Sequence, residues 1–506
     1  MSCPILSSRL SSRLSSLDGD DGDDGNHRAS PVHVAMKLLL IYFFVLGFIC
    51  IRDLFKVKNF DDYVVAGRRQ TTPFVFMSLM ATVLGASATV GIASRAESIG
   101  FAAFWWLGTG AVGFWFQAAF LSKPVHDLDV RTLPEIAEKT VGKTGRKLVA
   151  FIIAISWIGI IAAQFAAMAG FIGLVLGHDA GTLSVLVTAV IVIVYTLLGG
   201  QLSVVRTDAL QFGILTLGFF ATAVYLFGGF SGAENAVLTA ASISEPGENF
   251  SSDAVASNAG LATFGKFALL NEKFGAFDLV IMLFTIGGAY FLGPDVISRN
   301  LVAKDSASAR RAVVAGSFAI IVFSVIIVLL GMWAATYAPA VSGSVTNPLF
   351  RLATGVLPLP LAALLSVGLL SALLSSADTC LINSAAIFGS DILNTRRISV
   401  VRLLVVAIGI VATYLALQGK DIIGLLTMAY SVYTPGIVAP LAVAIIAYKK
   451  FYVKKTFWYA GVVIGGLFGL VPTILSSTVK YQSPAFLPLA GIAISLAFAI
   501  ASLKKK

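Results

Sequence analysis

Charge is scarce in this chain. Of its 506 residues only 12% are Asp, Glu, Lys or Arg, about half the share usual in a soluble globular protein, while 57% are apolar. That scarcity excludes a soluble single-core enzyme. Cysteine is nearly absent too: Cys3, Cys50 and Cys380 cannot build a disulfide framework, and the last two fall in or beside apolar runs, where a thiol behaves as a small hydrophobe. The four histidines, His27, His33, His126 and His178, have no ligand spacing, so no transition-metal centre is expected. No G-x-x-x-x-G-K-[ST] phosphate loop occurs, and no nucleophile, base and orienting group are combined. ATP-driven transport and covalent catalysis therefore lack residues, and the protein is not expected to be an enzyme. The longest connection between apolar runs is about 45 residues, too short for an appended folded domain.

What the chain does have is apolar length. Thirteen runs of roughly 17 to 28 residues are long enough to cross a hydrocarbon layer about 30 Å thick as helices. They lie near 36–51, 74–94, 101–122, 148–176, 182–200, 207–229, 277–297, 313–336, 359–391, 399–418, 421–447, 456–477 and 484–503. Ahead of them, residues 1–35 hold a Ser/Arg/Leu stretch and a repeated Asp-Gly segment with little to bury, which reads as a disordered tail. The net charge of +10 does not point to nucleic acid, because the basic residues flank the apolar runs. Alternate connections hold 26 and seven Lys and Arg residues. That bias places the richer set in the cytoplasm, with the N-terminus outside and the C-terminus inside a plasma or inner membrane. The lipid bilayer is thus an expected partner, and no obligatory protein partner is evident.

Two spans carry interruptions. Ala81 to Gly91 contains Gly85 and Gly91 among small residues, and Thr285 to Asp295 contains a Gly-Gly pair and a Gly-Pro. Both are poor at sustaining helix, and they lie five spans apart in opposite orientation. Such a pair points to an inverted-repeat transporter with a site near the midplane. No Lys or Arg is expected in the middle of a span. Asp208 and Asp378 do fall at membrane depth, where a carboxylate reads as an ion or proton site, or else as a partner of a local group such as Arg206. Around Asp378, Ala372, Ser375, Ser376 and Thr379 recur at helical spacing, and their hydroxyls, set against carbonyls of a broken helix, suit a hard monovalent cation.

With these features in view, Tyr195 to Gln211, Phe60 to Arg68, Gly293 to Lys304 and the segment around Ser371 to Ser384 resemble the motifs of the sodium/solute symporter family. The likeness covers roughly residues 36–450. It implies a five-plus-five inverted repeat like that of the bacterial leucine transporter, in an all-α integral membrane protein of about 13 transmembrane helices with extra helices at both ends. The units would be a 1–35 tail, an extra helix 36–52, repeats 74–229 and 277–447, and a C-terminal pair of helices with a basic tail in 456–506. It also implies Na+ as co-transported ion, held by the carbonyls of Ala81, Leu84 and Ala372 and the hydroxyls of Ser375 and Ser376. A second cation site, found in some members, would fall on Asp208, Ser375, Asp378 and Thr379.

Substrate is less constrained. Sugar-transporting members place an amide side chain where this chain has Ala88, which weakens a sugar. The pocket is expected from Ser87, Ala88, Trp157, Gln164, Tyr290, Tyr430 and Tyr433, and no midplane cation is seen that would grip a carboxylate. An amino acid, a small carboxylate and a quaternary amine stay open. The leading expectation is sodium-coupled import of a small organic solute by alternating access. The alternatives are proton coupling through Asp208 or Asp378, a membrane sensor without transport, and a channel-like permease.

Overall fold

A computed structural model describes residues 31–175, 181–228, 267–337, 347–419, 422–478 and 486–505. A helix overlies each of the thirteen predicted apolar runs. The first, α1 (Pro31–Leu54), starts earlier than expected: Pro31 suits the first helical position, where no amide is needed, so residues 31–35 belong to the helix. The rest of the proposed tail lies outside the described residues. A short α2 (Phe60–Val65) follows, then α3 (Thr72–Val83) and α4 (Ile92–Ile99), separated by a kinked Leu84–Ala86 and a π-turn at Ser87–Gly91. Next come α5 (Trp105–Phe116), α6 (Ser122–Asp127), α7 (Leu133–Val141), α8 (Lys143–Val175) and α9 (Thr182–Phe227). The second half holds α10 (Ala276–Leu292), α11 (Pro294–Val302), α12 (Ser306–Tyr337) and α13 (Pro348–Arg351). It continues with α14 (Leu359–Ile387), α15 (Ile398–Leu417), α16 (Ile422–Tyr433) and α17 (Ala439–Ala447). The last helices are α18 (Lys455–Thr478) and α19 (Leu487–Ala501). Among the described residues, nine helical stretches are long and apolar enough to cross a membrane. Strand content is limited there to one ribbon, β1 (Phe451–Val453) pairing antiparallel with β2 (Leu503–Lys505).

Two of the predicted spans are joined without a loop. The 46 residues of α9 run through the expected 201–206 connection and turn at Gly200, whose φ of 61° and ψ of 174° are not helical. Only glycine serves there, because a Cβ would also lie 2.7 Å from the Tyr63 ring. The second half of α9 then runs against α14. Small residues set that approach: a Cβ on Gly218 would meet the Leu364 carbonyl at 3.0 Å, and one on Gly368 would meet Leu215 Cα at 3.2 Å. The consequence is that Asp208 of α9 faces Ser375 of α14.

Both interruptions are real but differ in cause. In the first span the helix stops at Val83, and Gly85 lies so close to α14 that a Cβ would fall 2.2 Å from Ser376 Oγ. In the second, α10 ends at Gly293 in extended conformation (φ −64°, ψ 139°) and α11 restarts on Pro294, as a residue before proline is biased to do. Gly287 and Gly288 do not break the helix. They let it pack: Gly287 sits 2.9 Å from the Thr109 carbonyl by its would-be Cβ, and Gly288 2.8 Å from Thr434 Cγ2.

The charge-sorted connections gather at two ends. Arg131 pairs with Asp61, Arg146 with Glu138 and Asp391, Arg396 with Glu135, and Lys449 with Asp127, while Gln70 donates its amide to the Val302 carbonyl. All of these belong to the Lys/Arg-rich set. At the other end Arg351 pairs with Glu97, Asn271 donates to the Ile99 carbonyl, and Lys273 reaches the carbonyl of Ser98. Both ends are thus tied by polar contacts.

Candidate functional site

Where α3 stops, its last carbonyls are left without a continuing helix, and α14 supplies hydroxyls to them. Ser376 Oγ donates to the Thr82 carbonyl at 2.7 Å and lies 3.5 Å from that of Ala81. Ser376, Ala81, Leu84 and Ala372 are all buried. Of the expected sodium ligands, Ser376 and the Ala81 carbonyl thus come together, while Ser375 is turned away from the break: its hydroxyl donates to Asp208 Oδ1 at 2.5 Å. The donor set is neutral oxygen with one carboxylate behind it. That is the chemistry a hard monovalent cation takes.

Behind the break lies a buried ionic cluster. Asp208 accepts from Ser78 at 2.5 Å as well as from Ser375. Its cationic partner is Arg299 of α11, whose Nη2 stands 3.1 Å from Asp208 Oδ2. Arg299 is 1% exposed and also donates to Thr82 Oγ1 from Nε at 3.1 Å and Nη2 at 2.8 Å, and to Thr379 Oγ1. Asp378 accepts from Thr379 at 3.3 Å through Oδ1, while its Oδ2 is buried without a hydrogen-bond partner. Arg299, expected in a connection beyond 297, belongs instead to the helical stretch Ala276–Val302, near its end, and the alternative reading of Asp208 as a partner of Arg206 fails, because Arg206 joins Asp53 at 2.5 Å.

The solute side is a cavity of about 30 Å³ between the broken helices, lined by Thr82, Val83, Gly85, Ser87, Ile160, Gln164, Ala289, Tyr290, Asp295, Val296, Ser376, Cys380, Leu426 and Tyr430. That volume holds a water or two and is too small for an organic molecule unless the helices move apart. Of the expected pocket residues, Ser87, Gln164, Tyr290 and Tyr430 line it. Gln164 Oε1 accepts the Ala86 amide at 2.8 Å, bracing the break. The other three do not line it: Ala88 is fully buried, and Trp157 packs edge-on against Tyr433 with ring centroids 4.8 Å apart. Tyr433 spends its hydroxyl on the Leu292 carbonyl at 2.5 Å, holding the end of α10.

The profile of the Sodium:solute symporter family matches residues 63–465. The chain belongs to that family. Among curated relatives, a sodium/glucose cotransporter of Vibrio parahaemolyticus is 27% identical over 369 residues, covering 66% of this chain and 63% of the relative, a little under two thirds of its length. A sodium/pantothenate symporter of Haemophilus influenzae is 27% identical over 382 residues, covering 71% and 72%. Among solved structures, a Na+-coupled sialic acid symporter in a substrate-bound outward-open state superposes with a TM-score of 0.69 at 15% identity, covering 94% of this chain and 99% of that one. At that identity the likeness establishes the fold. The resemblance read from the motifs thus holds for the family and for the architecture of broken helices.

Two residues stand where the sequence pattern does not lead. Arg299 lies beyond the predicted 277–297 span, and Asp295 belongs to a family-like motif that by itself does not mark it as a wall of the cavity. The signal for both was present: Pro294 starts a helix as readily as it ends one, so α11 continues for nine residues and carries Asp295 and Arg299 inward.

Proposed function

We propose that this protein is a sodium-coupled symporter that imports a small organic solute by alternating access. The observation that carries this is the buried convergence of the α3 terminal carbonyls with Ser376, beside a small cavity at the same break. Sodium bound there would tie α3 to α14, and the solute bound next to it would tie α3 to α11. The two repeats are taken as 74–229 and 277–447, with the Lys/Arg-rich end in the cytoplasm and the N-terminus outside. The relatives named above carry glucose, pantothenate and sialic acid in their names, so relatedness alone selects no cargo. Asp378 extends the reading. With Asp208 and Asp378 ionised and Arg299 charged, the cluster carries one uncompensated negative charge, which a second sodium or a proton would neutralise.

The test is counterflow in proteoliposomes against a panel of solutes, with sodium, lithium or potassium at fixed pH. Saturable exchange that collapses in potassium is the expected result. Exchange driven equally well by a pH gradient in potassium would transfer the coupling to protons. Flux that never saturates would put the protein with channels.

A further inference from the structure

The cavity at the break holds a carboxylate that the cation sites do not use. Asp295 is the one Asp or Glu in its lining, and no Lys, Arg or His lines it. Its neighbours Gly293, Pro294 and Val296 are buried while Asp295 keeps partial accessibility, so what its carboxylate opens onto is the cavity. It has no salt bridge among the described residues. The cation one turn along the same helix, Arg299, is committed to Asp208, Thr82 and Thr379. The α11 first-turn amides of Asp295 and Val296 lie against the carboxylate. They ease its charge without neutralising it.

A carboxylate without a salt-bridge partner at membrane depth is costly. A solute that brought a second negative charge would add to that cost, and a neutral one would leave it standing. A positively charged nitrogen would offset it. The other walls suit such a group: Tyr290 and Tyr430 bring aromatic rings, of the kind that attract ammonium and guanidinium ions, and Cys380, Val83, Ile160 and Leu426 provide apolar surface for an alkyl body. Resting on the symporter reading, we infer that the transported solute carries a protonated amine or quaternary ammonium, docked on Asp295 between Tyr290 and Tyr430. A plain carboxylate, open on sequence grounds, is disfavoured by this arrangement.

The experiment measures thermal stabilisation of the purified protein in detergent with sodium present. The probes are choline, its uncharged isostere 3,3-dimethylbutan-1-ol, putrescine, proline, glucose and lactate. At least one nitrogen cation should stabilise the protein where the isostere, glucose and lactate do not. Asp295→Asn should raise the concentration needed by about tenfold or more, the size expected for a lost charge-assisted contact, with the shift produced by sodium alone kept. Asp295→Glu should retain part of the binding. Stabilisation by lactate or glucose in preference to the cations would overturn the inference, as would an Asp295→Asn protein that binds the cation unchanged. A protein that answers to a solute but not to sodium would instead count against the symporter reading.

Discussion

Removing the Arg299 charge should be severe, and the structure says by how much and how to rescue it. Arg299→Gln keeps a polar side chain able to meet Thr82 and Thr379, whose hydroxyls now receive the guanidinium, but takes the cation from Asp208. Asp208 retains only the Ser78 and Ser375 hydroxyls, with Asp378 close behind in the same cluster. Breaking one side of a buried ion pair costs about 3–5 kcal/mol, because a charge is left without compensation. The Gln contacts reduce this, so a loss of about 3 kcal/mol is expected. Adding Asp208→Asn removes the stranded charge, and the double variant should recover most of the loss although it lacks two native groups. Sodium should stabilise Arg299→Gln more than the parent, since a small cation can take up part of the charge left behind. Unfolding midpoints of the four proteins in detergent, with sodium and with potassium, complete the cycle. A double variant no more stable than Arg299→Gln alone would refute the pairing as an energetic unit.

Three further outcomes follow from the geometry. Gly85→Ala puts a Cβ 2.2 Å from Ser376 Oγ, so it should raise the half-saturating sodium concentration for uptake at least as much as Ser376→Ala, in protein that still inserts and elutes as a single species; an unchanged sodium dependence in both would remove Ser376 from the site. Asp378→Asn should lower the Hill coefficient for sodium towards one if a second sodium binds there, or flatten the pH dependence of uptake if a proton does; no change in either measurement would make Asp378 a structural acceptor. At the Lys/Arg-rich end, the Arg131 guanidinium, bonded at 2.5 and 2.8 Å, holds the Asp61 carboxyl below its ordinary value. That contribution is complete above about pH 4 and fades as pH falls through the lowered value. Because Asp61 is 44% exposed, Asp61→Asn should cost at most about 1 kcal/mol at neutral pH, and a larger loss in thermal unfolding would mean that the pair does more than tie α2 to the connection before α7.

Legibility in the sequence followed chemical rarity. Carboxylates at membrane depth are few, so Asp208 and Asp378 stood out, and both fall in the buried cluster. Ser375 and Ser376 were found by helical spacing, because α14 is regular through them. Interrupted helices were found by glycine and proline, but glycine has two uses, and residue type does not separate them. Gly85 and Gly293 stand at breaks, whereas Gly287 and Gly288 serve helix contact. The pocket aromatics were least legible. Trp157, Tyr290, Tyr430 and Tyr433 are all buried or partly so, and which of them faces a cavity depends on helix rotation of a few tens of degrees, which apolar periodicity in an all-round hydrophobic helix does not encode. Hence Tyr290 and Tyr430 reached the lining, and Trp157 and Tyr433 went to packing.

The most consequential oversight concerns where a helix resumes. A Gly-Pro at the end of an apolar run reads as a boundary, yet the same dipeptide is an efficient helix start, and α11 uses it to carry two charges of opposite sign back into the protein. Asp295 and Arg299 are four residues apart, one turn along a single rigid helix of nine residues. The first lines the cavity at the helix break and the second is locked into the Asp208 cluster beside Ser376. Neither group can shift along the helix axis without the other. If a solute docks on Asp295 as proposed and draws it inward, it would act on the Arg299 contacts with Thr82, Thr379 and Asp208, and a cation competing for Asp208 would act in turn on Asp295. Linkage makes that influence equal in both directions.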